Sequence, residues 1–225
     1  MSATGVALIG GAGEGLGAAL GRRFTQGGYE VVLASRSRDG LGRVDLREEV
    51  EVVALFDRVE KRGPVEVAVF NAGANFRASI LDTPAEMFEK VWRLGCYAGF
   101  LFGREAARRM ALRGKGTILF TGATASMRGA AQFAAFAAAK GGLRQVAQSM
   151  ARELGPKNIH VAHVVIDGMI DNPRTRSRMV ERVKDLPPDG MLATDAVAEL
   201  FWQLHAQPRS AWTFEADLRP WAEKF

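Results

Sequence analysis

A chain of 225 residues, 48% of them hydrophobic, can bury a substantial core, and at this length one α/β domain spanning 1–225 is a better expectation than two. Its 30 basic and 25 acidic residues leave a net charge of +5, which permits weak attraction to phosphate-bearing ligands; the basic residues are scattered apart from one run at 174–184, with no zinc spacing or RNA-binding aromatic motif, so neither nucleic acid nor metal is expected. The apolar runs are far shorter than the roughly 20 residues of a membrane span, the N-terminus has no basic leader, and the lone Cys96 cannot form an internal disulfide, so no membrane is expected as a partner and the chain reads as cytoplasmic.

In chain order, strand-like runs at 5–10, 29–34, 65–70, 116–121, 159–166 and 211–216 alternate with helix-periodic stretches at 15–27, 49–62, 84–113, 133–154 and 194–206. That alternation predicts βαβ units around a parallel sheet, and the nearly continuous apolar strands fit a sheet covered on both faces. One join departs from the pattern. From Ala34 to Val44 the connection "SRSRDGLGR" is short for a helical crossover of about 10–12 residues, which predicts a loop or single turn and a rudimentary strand near Arg43 to Leu46.

The first strand runs into "GGAGEGLGAALGRRF". It can be parsed as Gly13-x-Gly15-x-x-Ala18 or as Gly11-x-x-x-Gly15-x-Gly17, and both need the same physics. Residues without Cβ allow a tight turn and close approach of the backbone to a pyrophosphate, which the N–H groups and dipole of the following helix bind. A glycine-rich turn without a ligand is the bland alternative.

Three more segments fall at suitable spacing: "NAG" (Asn71, Ala72, Gly73) after the third strand, "FAAAK" (136–140) opening a long helix, and "DGMIDN" (167–172) after the 159–166 strand. Together with Gly11, Gly15 and Gly17 they resemble the short-chain dehydrogenase/reductase family across nearly the whole chain. The resemblance implies a doubly wound Rossmann fold of about seven parallel strands and a nicotinamide dinucleotide across their C-terminal ends, held by Gly11, Gly13, Glu14, Gly15, Leu16, Gly17, Asn71, Ala72, Gly73, Lys140 and Gly168. It also places Asp45 and Leu46 beside the adenine and Ile170 at the nicotinamide amide. The second strand ends in Ser35 and Arg36 rather than an acidic residue, which resembles NADP-preferring members, because a planar guanidinium pairs with a 2′-phosphate. Glu14 argues the other way, so NADP is expected with NAD as the alternative. The missing crossover after Ser35 departs from the family and implies a more open adenine side.

In the family a Tyr four residues before the Lys donates a proton, a Ser thirteen residues before that Tyr binds the same oxygen, and an Asn on the preceding helix anchors a relay. On this chain those positions read Phe136, Ala123 and Gly95, and only Lys140 remains. General acid catalysis contributes about 10²–10⁴-fold, so ordinary ketone reduction needs another donor. Tyr97 points away from the Gly95 face and Tyr29 lies on the far side. Thr124 and Ser126 are near the right strand end, though an aliphatic hydroxyl is a poor acid without a relay. Asp167, where the family has Pro, is the titratable candidate, with a turn or N-cap aspartate as its bland reading. Lys140 is expected to hold the cofactor ribose, and Phe136 to form an apolar wall suited to a flat hydrophobic ligand. His160 and His163 fall in a buried strand and are expected to be structural.

Residues 171–190 occupy the variable substrate lid of the family. Asn172-Pro173 reads as a helix start, with Met179, Val180 and Val183 as an apolar stripe. Arg174, Arg176 and Arg178 are either a solvated face or the recognition elements for an anionic small-molecule substrate. By resemblance the 84–113 and 133–154 helices pair with their copies in a homodimer or homotetramer, and the aromatic tail 212–225 covers a subunit contact or the site. Three functions stand: an NADP-linked oxidoreductase with a rearranged proton path, a catalytically silent nucleotide-binding protein, and another reaction such as elimination on the same scaffold.

Overall fold

The computed structural model describes residues 5–224; Met1 to Thr4, ahead of the first predicted strand, and Phe225, which ends the aromatic tail, lie outside the described residues. The first half runs β1 (Val6–Gly10), α1 (Leu16–Gln26), β2 (Glu30–Ala34), α2 (Glu49–Glu60), β3 (Val65–Phe70), α3 (Ala85–Trp92), α4 (Ala98–Arg113) and β4 (Gly116–Thr121). The second half runs α5 (Ala134–Leu154), β5 (Ile159–Ile166), β6 (Ile170–Asp171), α6 (Pro173–Arg178), α7 (Val180–Lys184), β7 (Leu192–Ala193), α8 (Thr194–His205) and β8 (Glu215–Leu218). The main sheet has the order β2-β1-β3-β4-β5-β8, parallel at every pairing, and β6 pairs with β7 apart from it.

Alternate side chains of each buried strand feed opposite layers, as the pleat requires. Leu8, Ala68, Phe70, Ile118 and Phe120 pack with α2, α4 and α5 on one face. Ile9, Val69, Leu119 and Val164 pack with Leu20 and Phe24 of α1 and Phe201 of α8 on the other. All eight residues of β5 are buried, which is why its sequence reads as an apolar run broken only by two histidines. Burying both faces is what stabilises a parallel sheet, at about 1.5–3 kcal/mol for each large side chain removed from water.

Three predicted boundaries change. The main sheet has six strands rather than about seven, because the join after β2 is a single turn at Gly40–Gly42 and the rudimentary strand reduces to one Ser35–Arg43 bridge. The last strand is Glu215–Leu218 and not 211–216: the Gln207 side chain closes a loop by accepting from Thr213 N and donating to Thr213 Oγ1, which takes residues 207–213 out of the sheet. The 84–113 helix carries a π segment at Arg93–Tyr97. Small residues let α5 press against this stretch, since a Cβ on Gly95 would sit 2.9 Å from Ala139 Cβ and one on Gly142 would sit 2.7 Å from Cys96 Sγ.

The histidines of the core carry no catalytic geometry. His160 stacks on Trp212 with ring centroids 4.9 Å apart. His163 is fully buried, with Nδ1 3.0 Å from Glu215, and His205 lies 2.9 Å from both Tyr29 and Thr117. Burial pushes His163 and His205 down from 6.5 to about 4. Between those values the unfolded chain binds protons that the folded chain excludes, so stability is lost as pH falls from about 6.5 to about 4. Urea midpoints across that window should drop, and His163→Gln and His205→Gln should each flatten the dependence.

Candidate functional site

The site lies along the C-terminal ends of β1, β3, β4 and β5, where the strand order reverses beside β1. Gly11 begins the turn out of β1 at φ +82°, and a Cβ there would fall 2.4 Å from Ala72 N. A Cβ on Gly17 would fall 2.6 Å from Ala12 Cα, whereas one on Gly13 would meet nothing within 4 Å. The turn is thus closed toward the protein and open toward the cleft. At the start of α1 no side chain caps the backbone and the first turn holds no acidic residue, so its N–H groups and positive dipole end stay available to an anion.

This turn floors a cleft of about 710 Å³ that also takes in Ser35, Arg36, Ser37, Asp45, Leu46 and Asn71. Glu14, Gly15, Leu16, Ala72 and Gly73 line it too, which brings together the predicted dinucleotide-cleft residues of the first three strands. Asp45 is occupied by Arg47, whose hydrogen bonds hold its carboxyl below the usual range. Ser35 Oγ lies 3.2 Å from Ser37 Oγ. The edge beside β2 is open where a longer crossover would have covered it.

A second cavity of about 610 Å³ adjoins the first, and both are lined by Asn71, Gly73 and Asn172. Lys140 and Phe136 enter it from α5, Thr124 from the turn after β4, and Gly168 and Ile170 from the segment after β5. Lys140 is 5% exposed, and its Nζ donates to Thr121 O at 2.6 Å. Burial lowers it from 10.5 to about 8. A series of hydrogen bonds leads from here to the glycine turn: Thr121 Oγ1 donates to Asn71 Oδ1 at 3.1 Å, Asn71 Nδ2 to Gly11 O at 3.3 Å, and Asn71 N to Gly10 O at 2.7 Å.

Behind the cavity wall Thr124 Oγ1 donates to the buried Asp167 carboxylate, joining residues 43 apart in the chain. Arg219 Nε lies 3.5 Å from the other oxygen of Asp167. Asp167 caps no helix; just past the end of β5, its N–H bonds Leu218 O at 2.9 Å. Gly168 holds φ +142° against Pro220, 2.7 Å from where a Cβ would lie. Ser126 Oγ instead accepts from Ala123 N at 3.1 Å and is buried in its own turn. Tyr97 stacks on Trp92 and Tyr29 bonds His205, and neither lines the cavity.

Arg174, Arg176 and Arg178, offered by the sequence as a solvated face or as anion-recognising side chains, are all exposed and meet different surroundings. Asn172 caps α6 by accepting from Thr175 N, as the Asn-Pro pair predicts, but Arg174 opens into the glycine-turn cleft, Arg176 pairs with Asp171 at 2.6 Å, and Arg178 lines neither space. The short α6 turns Arg174 back over the first cleft while the second is met one helix later, by Arg182 of α7. Residues missed in the sequence also line the second cavity: Arg128, Arg182, Phe133 and Glu223. No motif marks them, since each arrives from a loop or short helix whose path is set by packing. In the aromatic tail, Trp221 Nε1 donates to Pro188 O at 3.1 Å, so it reaches the 171–190 segment.

A parallel sheet with a glycine turn at its first strand end and a buried lysine beyond its fourth defines a dehydrogenase-like α/β protein. The chain belongs to the short-chain dehydrogenase family, whose model, described as short chain dehydrogenase, matches residues 5–182. It is 44% identical to a solved short-chain dehydrogenase from Rhodopseudomonas palustris, with a TM-score of 0.81 over 96% of this chain and 98% of that one. The 3-oxoacyl-[acyl-carrier-protein] reductase MabA of Mycobacterium tuberculosis is 34% identical over 79% of this chain and 73% of its own length. The cyclic-di-GMP-binding biofilm dispersal mediator protein of Escherichia coli is 33% identical over 73% of this chain and 72% of its own length. No helix among the described residues is long and apolar enough to cross a membrane.

Burial of Lys140 has a thermodynamic signature. The unfolded chain keeps its proton to about 10.5 and the folded chain only to about 8, so stability rises with pH between the two, by up to about 3 kcal/mol. Chemical denaturation of the chain and of Lys140→Met should diverge in favour of the lysine across that window.

Proposed function

We propose that this chain is an NADP-preferring oxidoreductase that interconverts a small carbonyl compound and its alcohol, with Lys140 as the cofactor-ribose ligand and a proton path that does not use a phenol. The observation that supports it is the place of Lys140, which lines the apolar-walled cavity with its Nζ 3.4 Å from where a Cβ would sit on Gly73, a residue shared with the anion-ready glycine cleft. The residues suit a dinucleotide: the turn is bare of Cβ where the backbone must approach a pyrophosphate, and the start of α1 is uncapped. Arg36, Ser37 and Arg174 line the same cleft and would meet a 2′-phosphate, against the carboxylates of Glu14 and of Asp45, the latter paired with Arg47. Asp45 and Leu46 would flank the adenine, and Ile170 the nicotinamide amide.

Bound nicotinamide supplies or takes up hydride at the reacting carbon. The chain's own residues then handle the proton. Thr124 lines the cavity and its Oγ1 bonds Asp167, so on oxidation that hydroxyl takes the proton of the substrate hydroxyl while passing its own to Asp167, and reduction reverses both transfers. Phe136 excludes water from this exchange and lies along a flat substrate. The segment 171–190 acts as the lid, tied to the glycine turn through Asn172, whose Cβ lies 3.2 Å from where a Cβ on Gly15 would sit.

A second reading, a silent nucleotide-binding protein, is favoured by the ring of Phe136 and the methyl of Ala123 at the positions where the family resemblance implies proton donors. Absorbance assays with NADPH or NADP over a panel of carbonyl compounds and alcohols separate the two: tight cofactor binding with no turnover of any compound selects the silent protein. If the proposed path operates, Asp167→Asn lowers kcat about 10²–10⁴-fold and leaves the NADPH Kd unchanged. Arg36→Glu should weaken NADPH about 10-fold or more, with NADH little affected, in a calorimetric titration of both.

A further inference from the structure

Two arginines at the mouth of the second cavity have no evident structural duty. Arg128 follows the turn after β4 and Arg182 lies on α7, so they reach the same space from separate elements. Neither makes a side-chain hydrogen bond or ion pair among the described residues. The neighbouring arginines are engaged: Arg176 with Asp171, Arg144 with Glu215 at 2.6 Å, and Arg219 with Asp167 and Asp217. Within the cavity the walls beyond Lys140 are apolar, formed by Phe133, Phe136 and Met179. One acidic group opposes the pair. Glu223 Oε2 lies 3.5 Å from where a Cβ on Gly168 would be, at the strand-end side. An anion entering the cavity is therefore repelled from that side and attracted toward the arginines.

Resting on the oxidoreductase reading, we infer that the substrate is an apolar oxo- or hydroxy-acid whose carboxylate is held between Arg128 and Arg182 while its body lies against Phe133 and Phe136. Two planar guanidinium forks from different elements match a planar carboxylate, whose charge-assisted hydrogen bonds are stronger than neutral ones. This differs from recognition by the 174–178 run, because those side chains face the other cleft, a carboxylate or neither space. Both arginines are exposed, so the attraction is screened by salt.

Isothermal titration of the NADPH-loaded protein with 4-phenylbutanoate, 4-phenylbutanamide and 3-phenylpropyl phosphate tests the inference without turnover. At low ionic strength the carboxylate should bind about ten-fold tighter than the amide. Arg128→Gln and Arg182→Gln should each remove most of that preference while leaving amide affinity and the NADPH Kd within about two-fold. Equal binding of carboxylate and amide, no binding of either, or a preference that survives both substitutions overturns the inference, and tighter binding of the phosphate ester than the carboxylate overturns the choice of head group. If NADPH itself does not bind, the oxidoreductase reading fails separately, and the carboxylate-to-amide comparison on the unloaded protein still decides whether the arginines select an anion.

Discussion

The hydrogen bonds of Asn71 tie the site together. Its backbone and side chain fasten the end of β3 to the turn leaving β1, and its carbonyl oxygen receives Thr121 at the end of β4. Thr121 O in turn receives Lys140. Three parallel strands and α5 therefore share one polar seam at the C-terminal ends of the strands. A buried polar group without a partner costs about 1–3 kcal/mol, so the seam holds only when every member is in register. The glycine turn can lie open because the seam fixes its base.

Charge is arranged by depth. The most buried cation, Lys140, donates to a backbone carbonyl and has a lowered proton affinity; the arginines at the cavity mouth are solvated. Asp167 is withdrawn behind Thr124, joined to the cavity through a hydroxyl. The site can thus keep a mostly apolar space beside a polar floor, which suits the proposed exchange of hydride and proton with an apolar substrate. Close packing of α5 against the π segment adds a steric constraint: at Gly95 a side chain larger than hydrogen would press on Ala139. The absence of a polar side chain at Gly95 is thereby built into the helix contact as well as into the sequence.

Much of the scaffold could be read from the chain alone because its signals are local. Continuous apolar runs such as Ile159–Ile166 announce strands buried on both faces, and the short, glycine-containing link after Ala34 announces a missing crossover. The glycine turn, Asn71–Gly73 and Lys140 each carry a motif that survives without coordinates. The sixth main strand was misplaced because the Gln207–Thr213 bonds that displace it are specific to side chains, not to hydrophobic period. The surroundings of the individual arginines were not legible for a related reason: a charge run on two short helices gives no sign of which cleft, if any, each residue meets.

By itself the sequence determined the layered α/β architecture, the anion-ready turn and the lysine one helical turn after a phenylalanine, because periodicity and glycine chemistry act over a few neighbouring residues. Only the tertiary structure decided that Thr124 meets Asp167, that Asn71 links the turn to Thr121, and that Arg128, Arg182 and Glu223 ring the same cavity. Those meetings join residues tens of positions apart, and their geometry comes from how β4, β5 and the 171–190 segment pack, which no local pattern encodes.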